Sequence, residues 1–417
     1  MKKYLSVLFA AAVLLLLLCS CSSEEKLDIV HVTDIHFAGR EYFDYKGIYA
    51  ESNDSNGSGK QMKYLDDILD AFIEEMKQRK PDYIIVTGDS TYAGAKESHL
   101  ALTEKLRPLL EKDIKILVLP GNHDIEMPTY IYPNGGYEET VTLTPDEYRE
   151  VYADFGYSGG ISYDPSSLSY VYDTGMGVRI FMLDTNVAYG MLYGSLNNEK
   201  MAWLEKELAA CKEAGDTPLV AGHHTVLEHN KRFNFGYRLN NSADVEALLA
   251  DAGCTLYLCG HMHTQHIVSD EYLTDIVGGA FSVYPHRYGV IEFFKTGWNY
   301  ESLVTDVDLY AEKTGSENPD LINYSDYGYA FFYNNAYSQG KESLSYVISD
   351  TELLEKYADF TAKVNVAYFG GMVSDLDLSF AEQFLVDAEG SSWCGYVESI
   401  LNNPVDHISC SSTKDDE

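Results

Sequence analysis

Basic residues are scarce: 30 Lys and Arg stand against 65 Asp and Glu in 417 residues, a formal net charge of −35. Nonspecific affinity for nucleic-acid polymers comes from Lys and Arg neutralising phosphates, so a surface of this sign argues against such partners. A small phosphate compound stays within reach, because cations local to a pocket can overrule the global field. Cysteine is also sparse. Beyond Cys19 and Cys21 the chain has only Cys211, Cys254, Cys259, Cys394 and Cys410, too scattered for a disulfide framework; one Cys394–Cys410 bridge is conceivable and nothing in the sequence supports it. The apolar run from Leu5 to Leu18 falls short of the roughly 20 residues a membrane-spanning helix needs. Preceded by Lys2 and Lys3, it reads as a targeting segment outside the fold.

From Leu27 onward short apolar runs alternate with amphipathic stretches. "LDIVHVTD", "DYIIVTGD", "IKILVLPGNHD", "TPLVAGHH" and "CTLYLCGHMH" read as buried strands by length and β-branched content. Helical patterns separate them: "LDDILDAFIEEMKQR", "KESHLALTEKLRPLLEK", "EKMAWLEKELAACKEA" and "SADVEALLADAG". Strand and helix in alternation predict an α/β core. "YVYDTGMGVRIFMLDT" predicts a hairpin in a mixed sheet, and residues 272–294 predict further short strands. Residues 41–62, rich in Gly, Ser and Asn, predict a surface loop, and residues 125–168 a long insertion that shapes a pocket. That insertion holds one helix start, with Thr144 as N-cap, Pro145 at the first position and Glu147 closing a capping box. After about residue 305 helical spacing takes over: Leu353, Tyr357, Phe360 and Val364 follow an Asp350 cap, and a small C-terminal helical domain is expected over 305–417. Its many tyrosines read as packing residues.

Each of the five buried strands ends in a metal-ligand candidate. Asp34 and His36 follow the first, Asp89 the second, Asn122 and His123 the third, His223 the fourth, and His261 and His263 the fifth. Sites of open α/β sheets lie at the carboxyl ends of the strands, so these residues should converge. A G-N-H tripeptide followed by Asp or Glu arises by chance in roughly one chain in several hundred. An ordered set in which every member ends a strand is rarer still.

D-I-H (34–36), G-D (88–89), G-N-H-D (121–124), G-H-H (222–224) and G-H-M-H (260–263) together resemble the motif set of the calcineurin-like metallophosphoesterases, over about residues 27–300. "GKQMKYLDDILDAFI", "GDSTYAGAKESH" and "YPHRYGVI" further resemble secreted class III cyclic-nucleotide phosphodiesterase-like lipoproteins of Gram-positive bacteria, which carry a C-terminal helical domain. The resemblance implies an α/β fold of the four-layer αββα sandwich type over 27–304, with two metal ions bridged by Asp89. Asp34, His36 and His263 would complete the first site, and Asn122, His223 and His261 the second. Such donors suit Mn, Fe or Zn better than Ca or a thiolate-loving metal. His123 is the implied general acid, with Asp124 to orient it.

The implied reaction is hydrolysis of a small phosphodiester, cyclic nucleotides foremost, by attack of a metal-bridging hydroxide. The alternatives are a phosphomonoesterase or nucleotidase on the same scaffold, and a surface-binding lipoprotein that has lost catalysis. His224 and His286 are candidate substrate contacts. His229 and His266 could line the pocket or lie behind it, while His31, His99 and His407 read as structural. The "HHT" at 223–225 lacks the proline that often follows this pair in the family. Leu18-Cys19-Ser20-Cys21 resembles a bacterial lipoprotein cleavage site, which implies an extracytoplasmic protein anchored to the membrane through a lipid on Cys21 after loss of residues 1–20. Losing Lys2 and Lys3 takes the charge from −35 to −37.

Overall fold

The computed structural model describes residues 26–412 apart from 48–49, 52, 54–57, 126–128 and 403, so Cys21 and the targeting segment lie outside the described residues. The first three apolar runs form β1 (Leu27–Val32), β2 (Tyr83–Thr87) and β3 (Lys115–Leu119), paired in parallel. Parallel neighbours need crossovers, and α1 (Leu65–Arg79) and α2 (Lys96–Leu110) supply them. Both bury one face: Leu65, Ile68, Leu69, Phe72, Ile73 and Met76 of α1 recur at helical spacing against the sheet.

The 125–168 insertion is more structured than its composition predicts. It forms a hairpin of β4 (Thr129–Ile131) and β5 (Glu138–Thr140), then α3 (Pro145–Val151), where Thr144 and Glu147 make the expected capping box. Next come β6 (Ser162–Tyr163), β7 (Tyr170–Asp173) and β8 (Val178–Met182); β7 and β8 are the predicted hairpin. α4 (Asn198–Ala214) leads to β9 (Thr217–Ala221), and α5 (Ser242–Asp251) to β10 (Leu256–Cys259). α4 starts where the Asn197 side chain accepts from the Glu199 and Lys200 amides and stops at Gly215. β11 (His266–Ser269) and β12 (Thr274–Val277) complete a seven-stranded sheet of order β11-β12-β10-β9-β8-β7-β6.

β13 (Arg287–Phe294), β14 (Gly297–Val304) and β15 (Ser409–Ser411) extend the first sheet to six strands, β15-β14-β13-β1-β2-β3. The period of two then explains the layers. Ile180, Met182, Leu219, Ala221, Leu256, Leu258 and Ile276 point inward and share one core with the first sheet, α1 and α2. Their neighbours Phe181, Val220, Tyr257, Cys259 and Val277 point outward into a second core with Trp203, Leu204 and Leu208 of α4 and Val245 and Leu249 of α5. Helix, sheet, sheet, helix is the αββα sandwich. Each fully buried Phe or Leu at this seam contributes roughly 2 kcal/mol.

The C-terminal region is helical, with α6 (Val307–Thr314), α7 (Pro319–Ile322), α8 (Tyr324–Leu344), α9 (Thr351–Phe369), α10 (Ala381–Asp387) and α11 (Ser392–Leu401). Asp350 caps α9 as predicted, accepting from the Leu353 amide at 2.9 Å. Helical spacing does not run to the end of the chain, because β15 returns to pair with β14 at the edge of the first sheet. Cys394 lies on α11 and Cys410 on β15, and all five described cysteines are free, so the conceivable bridge is not formed. Among the described residues no helix is long and apolar enough to cross a membrane.

Candidate metal centre

The carboxyl ends of β1, β2, β3, β9 and β10 meet where the two sheets open, and the seven proposed ligands meet there too. Asp34, His36, Asp89 and His263 form one group whose donor atoms lie within 4.8 Å of one another; Asp89, His223 and His261 form a second. Asn122 joins the second group, its Oδ1 standing 3.1 Å from His223 Nε2. Asp89 belongs to both.

Turning side chains inward directly after a strand bends the backbone hard. Asp34, His36, Asp89, His261 and His263 all have positive φ, between 47° and 69°. Such conformations cost non-glycine residues roughly 1–3 kcal/mol each and persist only where surrounding structure enforces them. The bend after β3 also needs Gly121, since a Cβ there would fall 2.2 Å from Asp89 Oδ1. Hydrogen bonds then fix each donor. Asp34 Oδ2 accepts from Thr33 Oγ1 and from the His261 amide, both at 2.9 Å. Asp89 Oδ1 accepts from the His123 amide at 2.8 Å. His223 Nδ1 donates to the Thr87 carbonyl at 2.8 Å, and His261 Nε2 to the Gly236 carbonyl at 3.0 Å. These bonds leave the opposite ring nitrogen of each histidine to face the centre.

The fit to metal ions rests on what stays unpaired. Asp34 Oδ1 and Asp89 Oδ2 are buried with no hydrogen-bond partner. Two orphaned carboxylate oxygens among imidazoles would be costly unless a cation completes them. Burial pushes the Asp89 carboxyl up and His223 and His123 pull it down, leaving it well below its usual range. Burial lowers His223, but Asp89 and Asp34 outweigh it and raise the imidazole to about 9. The carboxylates thus stay ionised. Carboxylate, imidazole and amide oxygen fit Mn, Fe or Zn.

His123 faces a cavity of about 610 Å³ above the centre, lined also by Asp89, His261 and His263. Its ring meets that of His36 edge-on at 5.4 Å. Asp124 does not orient it, contrary to expectation. The Asp124 carboxylate accepts from the amides of Ser90, Thr91 and Gly121 at 3.2, 2.9 and 2.9 Å and from Thr91 Oγ1 at 3.1 Å, tying the loop after β2 to the loop after β3. Burial, with Asp89 nearby, lifts this carboxyl to about 7.

His224 and His286 are not substrate contacts either. Both ring nitrogens of His224 are engaged, by Thr185 Oγ1 at 2.7 Å and the Leu192 carbonyl at 3.1 Å, so it packs behind His223 and His261. His286 binds the Phe281 carbonyl and Tyr324 Oη, both at 2.8 Å, and joins the core to α8. His229 and His266 pair at 3.0 Å beside His407 in a separate cavity. His31 bonds Thr87 Oγ1 at 2.8 Å, and His99 joins Tyr152 Oη to the Asp124 carbonyl, as structural residues should.

The sequence reading missed the far wall of the cavity. Among the described residues none of the lining comes from 125–168. Arg232, Phe233 and Tyr237 line the cavity together with Asn365, Tyr368, Trp393 and Tyr396 of the C-terminal helices. Ring contacts run from His261 to Tyr237 at 5.1 Å, on through Phe233 to Tyr396 at 5.8 Å and to Trp393 at 5.2 Å. The rings come from three separate stretches of chain, around residues 233–237, 261 and 393–396, so no motif announced them. Lys60 was missed too, in the 41–62 stretch expected to be a surface loop: Lys60 and Gln61 are buried.

An αββα sandwich gathering two carboxylates, four imidazoles and an amide at its strand ends, with one carboxylate common to both groups, defines a metallophosphoesterase. The chain belongs to the calcineurin-like phosphoesterase family, whose profile it matches over residues 27–265. Residues 306–406 match the C-terminal domain of cyclic nucleotide phosphodiesterase. The chain is 34% identical to tartrate-resistant acid phosphatase type 5 of Homo sapiens over 113 residues, 24% of this chain and 32% of that protein. It is 28% identical to the probable glycerophosphodiester phosphodiesterase GpdQ of Arcobacter nitrofigilis over 192 residues, 44% of this chain and 57% of that one. It thus spans less than two thirds of the length of these curated relatives. A solved dimetal phosphatase from Danio rerio aligns with a TM-score of 0.47 and 12% identity, covering 67% of this chain and 96% of that one.

Proposed function

We propose that the protein is a two-metal phosphodiesterase acting on small phosphodiesters, with cyclic nucleotides the leading substrate class. The carrying observation is the pair of ligand groups sharing Asp89 beneath a cavity that is polar at its floor and aromatic on its walls. Asp34, His36, Asp89 and His263 would hold one transition-metal ion, and Asp89, Asn122, His223 and His261 the other. When bound, such a pair supplies Lewis acidity to the phosphate oxygens and lowers the pKa of a water.

The chain's own residues do the rest. His123, at the cavity floor, gives a proton to the departing oxygen. Burial lowers its pKa against the opposing pull of Asp89, which makes its imidazolium a readier donor. The shared Asp89 carboxylate fixes the spacing of the two sites, while its bond to the His123 amide fixes the acid relative to them. Phe233, Tyr237, Trp393 and Tyr396 exclude water and offer flat apolar surface to a nucleobase. That wall, with the match of residues 306–406, supports a nucleotide over a smaller headgroup.

Full-length protein should cleave 3′,5′-cyclic AMP to the monoester faster than it cleaves a glycerophosphodiester or a nucleoside monophosphate. Preference for the monophosphate would move the reading to a nucleotidase. Lipid anchoring at Cys21 on the extracytoplasmic face belongs to the same proposal, and Cys21→Ala should shift the protein from the membrane to the soluble fraction.

A further inference from the structure

Lys60 is a buried cation, 9% exposed. Lysine is almost never buried unless its ammonium is paired. Among the described residues Lys60 makes no ion pair within 4.0 Å; its Nζ stands 5.8 Å from the centroid of the Tyr92 ring, three residues beyond Asp89. Asp34 and Asp89 are close enough for their charges to act on it, and its own charge acts on His36 and His123. Ser58, two residues before it, lines the cavity together with Asp89 and His123.

The segment carrying Lys60 is braced on both sides. Lys60 bridges to Val283 in antiparallel fashion, and its carbonyl accepts from Asn53 Nδ2 at 3.1 Å. The Gln61 amide donates to the Ser282 carbonyl at 2.7 Å, while Ser282 Oγ donates to the carbonyl of Asp34 at 2.9 Å. From the other side, Gln61 Nε2 reaches the Gly328 carbonyl of α8 at 3.3 Å. Gly59, with φ at +71°, lies so close to the Phe332 ring of α8 that a Cβ would fall 2.3 Å from it. The C-terminal helices therefore hold the Lys60 segment against the strand end that bears Asp34.

We propose that Lys60 is the cation that binds the substrate's phosphate, its ammonium taking a non-bridging oxygen of the phosphodiester beside His123. A buried, braced ammonium that makes no ion pair within 4.0 Å among the described residues complements an anionic ligand, and this placement rests on the phosphoesterase reading of the same centre. It also gives α8 a task, which is to position a substrate-binding residue from outside the family domain.

The test is calorimetric binding of inorganic phosphate to metal-loaded, full-length wild type, Lys60→Met, Lys60→Gln and Lys60→Arg, with metal content and melting temperature measured on each. Both neutral variants should keep their metals and bind phosphate about 10- to 100-fold more weakly, and Lys60→Arg should recover most of the loss. Having two neutral variants guards against one failing to fold. Wild-type phosphate affinity in either folded neutral variant would overturn the assignment, as would loss of metal from all three variants, which would make Lys60 a support of the centre. The two readings fail separately: Lys60-dependent phosphate binding by a protein that hydrolyses no ester removes the enzymatic reading and leaves this one.

Discussion

Asp89 stands in both ligand groups, with one carboxylate oxygen held by the His123 amide and the other making no hydrogen bond, 3.8 Å from His36 Nε2. Asp89→Asn should therefore lose both metal ions and turnover together, read by elemental analysis beside ester hydrolysis. His123→Ala should keep its metals yet lose roughly 10²- to 10⁴-fold in turnover of esters with poor leaving groups, and much less where the leaving group is p-nitrophenolate. Full activity of His123→Ala on poor leaving groups would end the general-acid assignment. Asp124→Ala acts differently, because it strands three buried amides; it should cost on the order of 3 kcal/mol in urea unfolding. The residues that gather at the centre were legible because each ends an apolar strand within a short motif. Asp124 was misread because adjacency to His123 says nothing about side-chain direction where the backbone turns sharply. Lys60 lay within the stretch "GKQMKYLDDILDAFI" that carried the resemblance, but its burial was not legible, since a Gly-Lys pair closing a polar loop looks like any surface turn.

Among elements, the strand-to-ligand turns and the C-terminal helices divide the work. The turns hold the donors, and α9 and α11 supply Asn365, Tyr368, Trp393 and Tyr396 to the cavity. Trp393→Ala should lower kcat/KM for a cyclic nucleotide about tenfold, the scale of one lost base stack, while leaving a glycerophosphodiester nearly unchanged. Equal losses on both substrates would deny the wall a part in recognition. Of these helices α9 was legible from its spacing and its Asp350 cap, as was α3 in the insertion from Thr144. The contribution of the C-terminal helices to the cavity was not, since the rings of Tyr237, Tyr396 and Trp393 meet only after the chain has folded. Nor were the β4–β5 hairpin and β15, three-residue strands too short for alternation to register.

For the whole molecule, acid is the vulnerable side. His99 and His286, both clear of the ligand groups, are fully buried and bonded in the neutral form, and burial lowers each to about 4 from 6.5. Between those values the unfolded chain takes up protons that the folded one refuses. The contribution of these two groups is therefore full above pH 6.5 and is lost as pH drops toward 4, by roughly 3 kcal/mol for each group, while the raised Asp124 carboxyl acts in the opposite sense. Melting temperatures of the chelated protein across this range should fall steeply, and His286→Gln should flatten the slope. The net charge of −35 acts at longer range, while Lys60 and Arg232 keep local positive charge near the cavity. Hydrolysis of bis(p-nitrophenyl) phosphate beside p-nitrophenyl phosphate tests the two-metal centre most directly, using full-length protein after chelation and after return of Mn, Fe or Zn. Turnover that disappears with the chelator, returns with metal and favours the diester is the predicted result; no turnover with any metal by a folded, metal-loaded protein would contradict it.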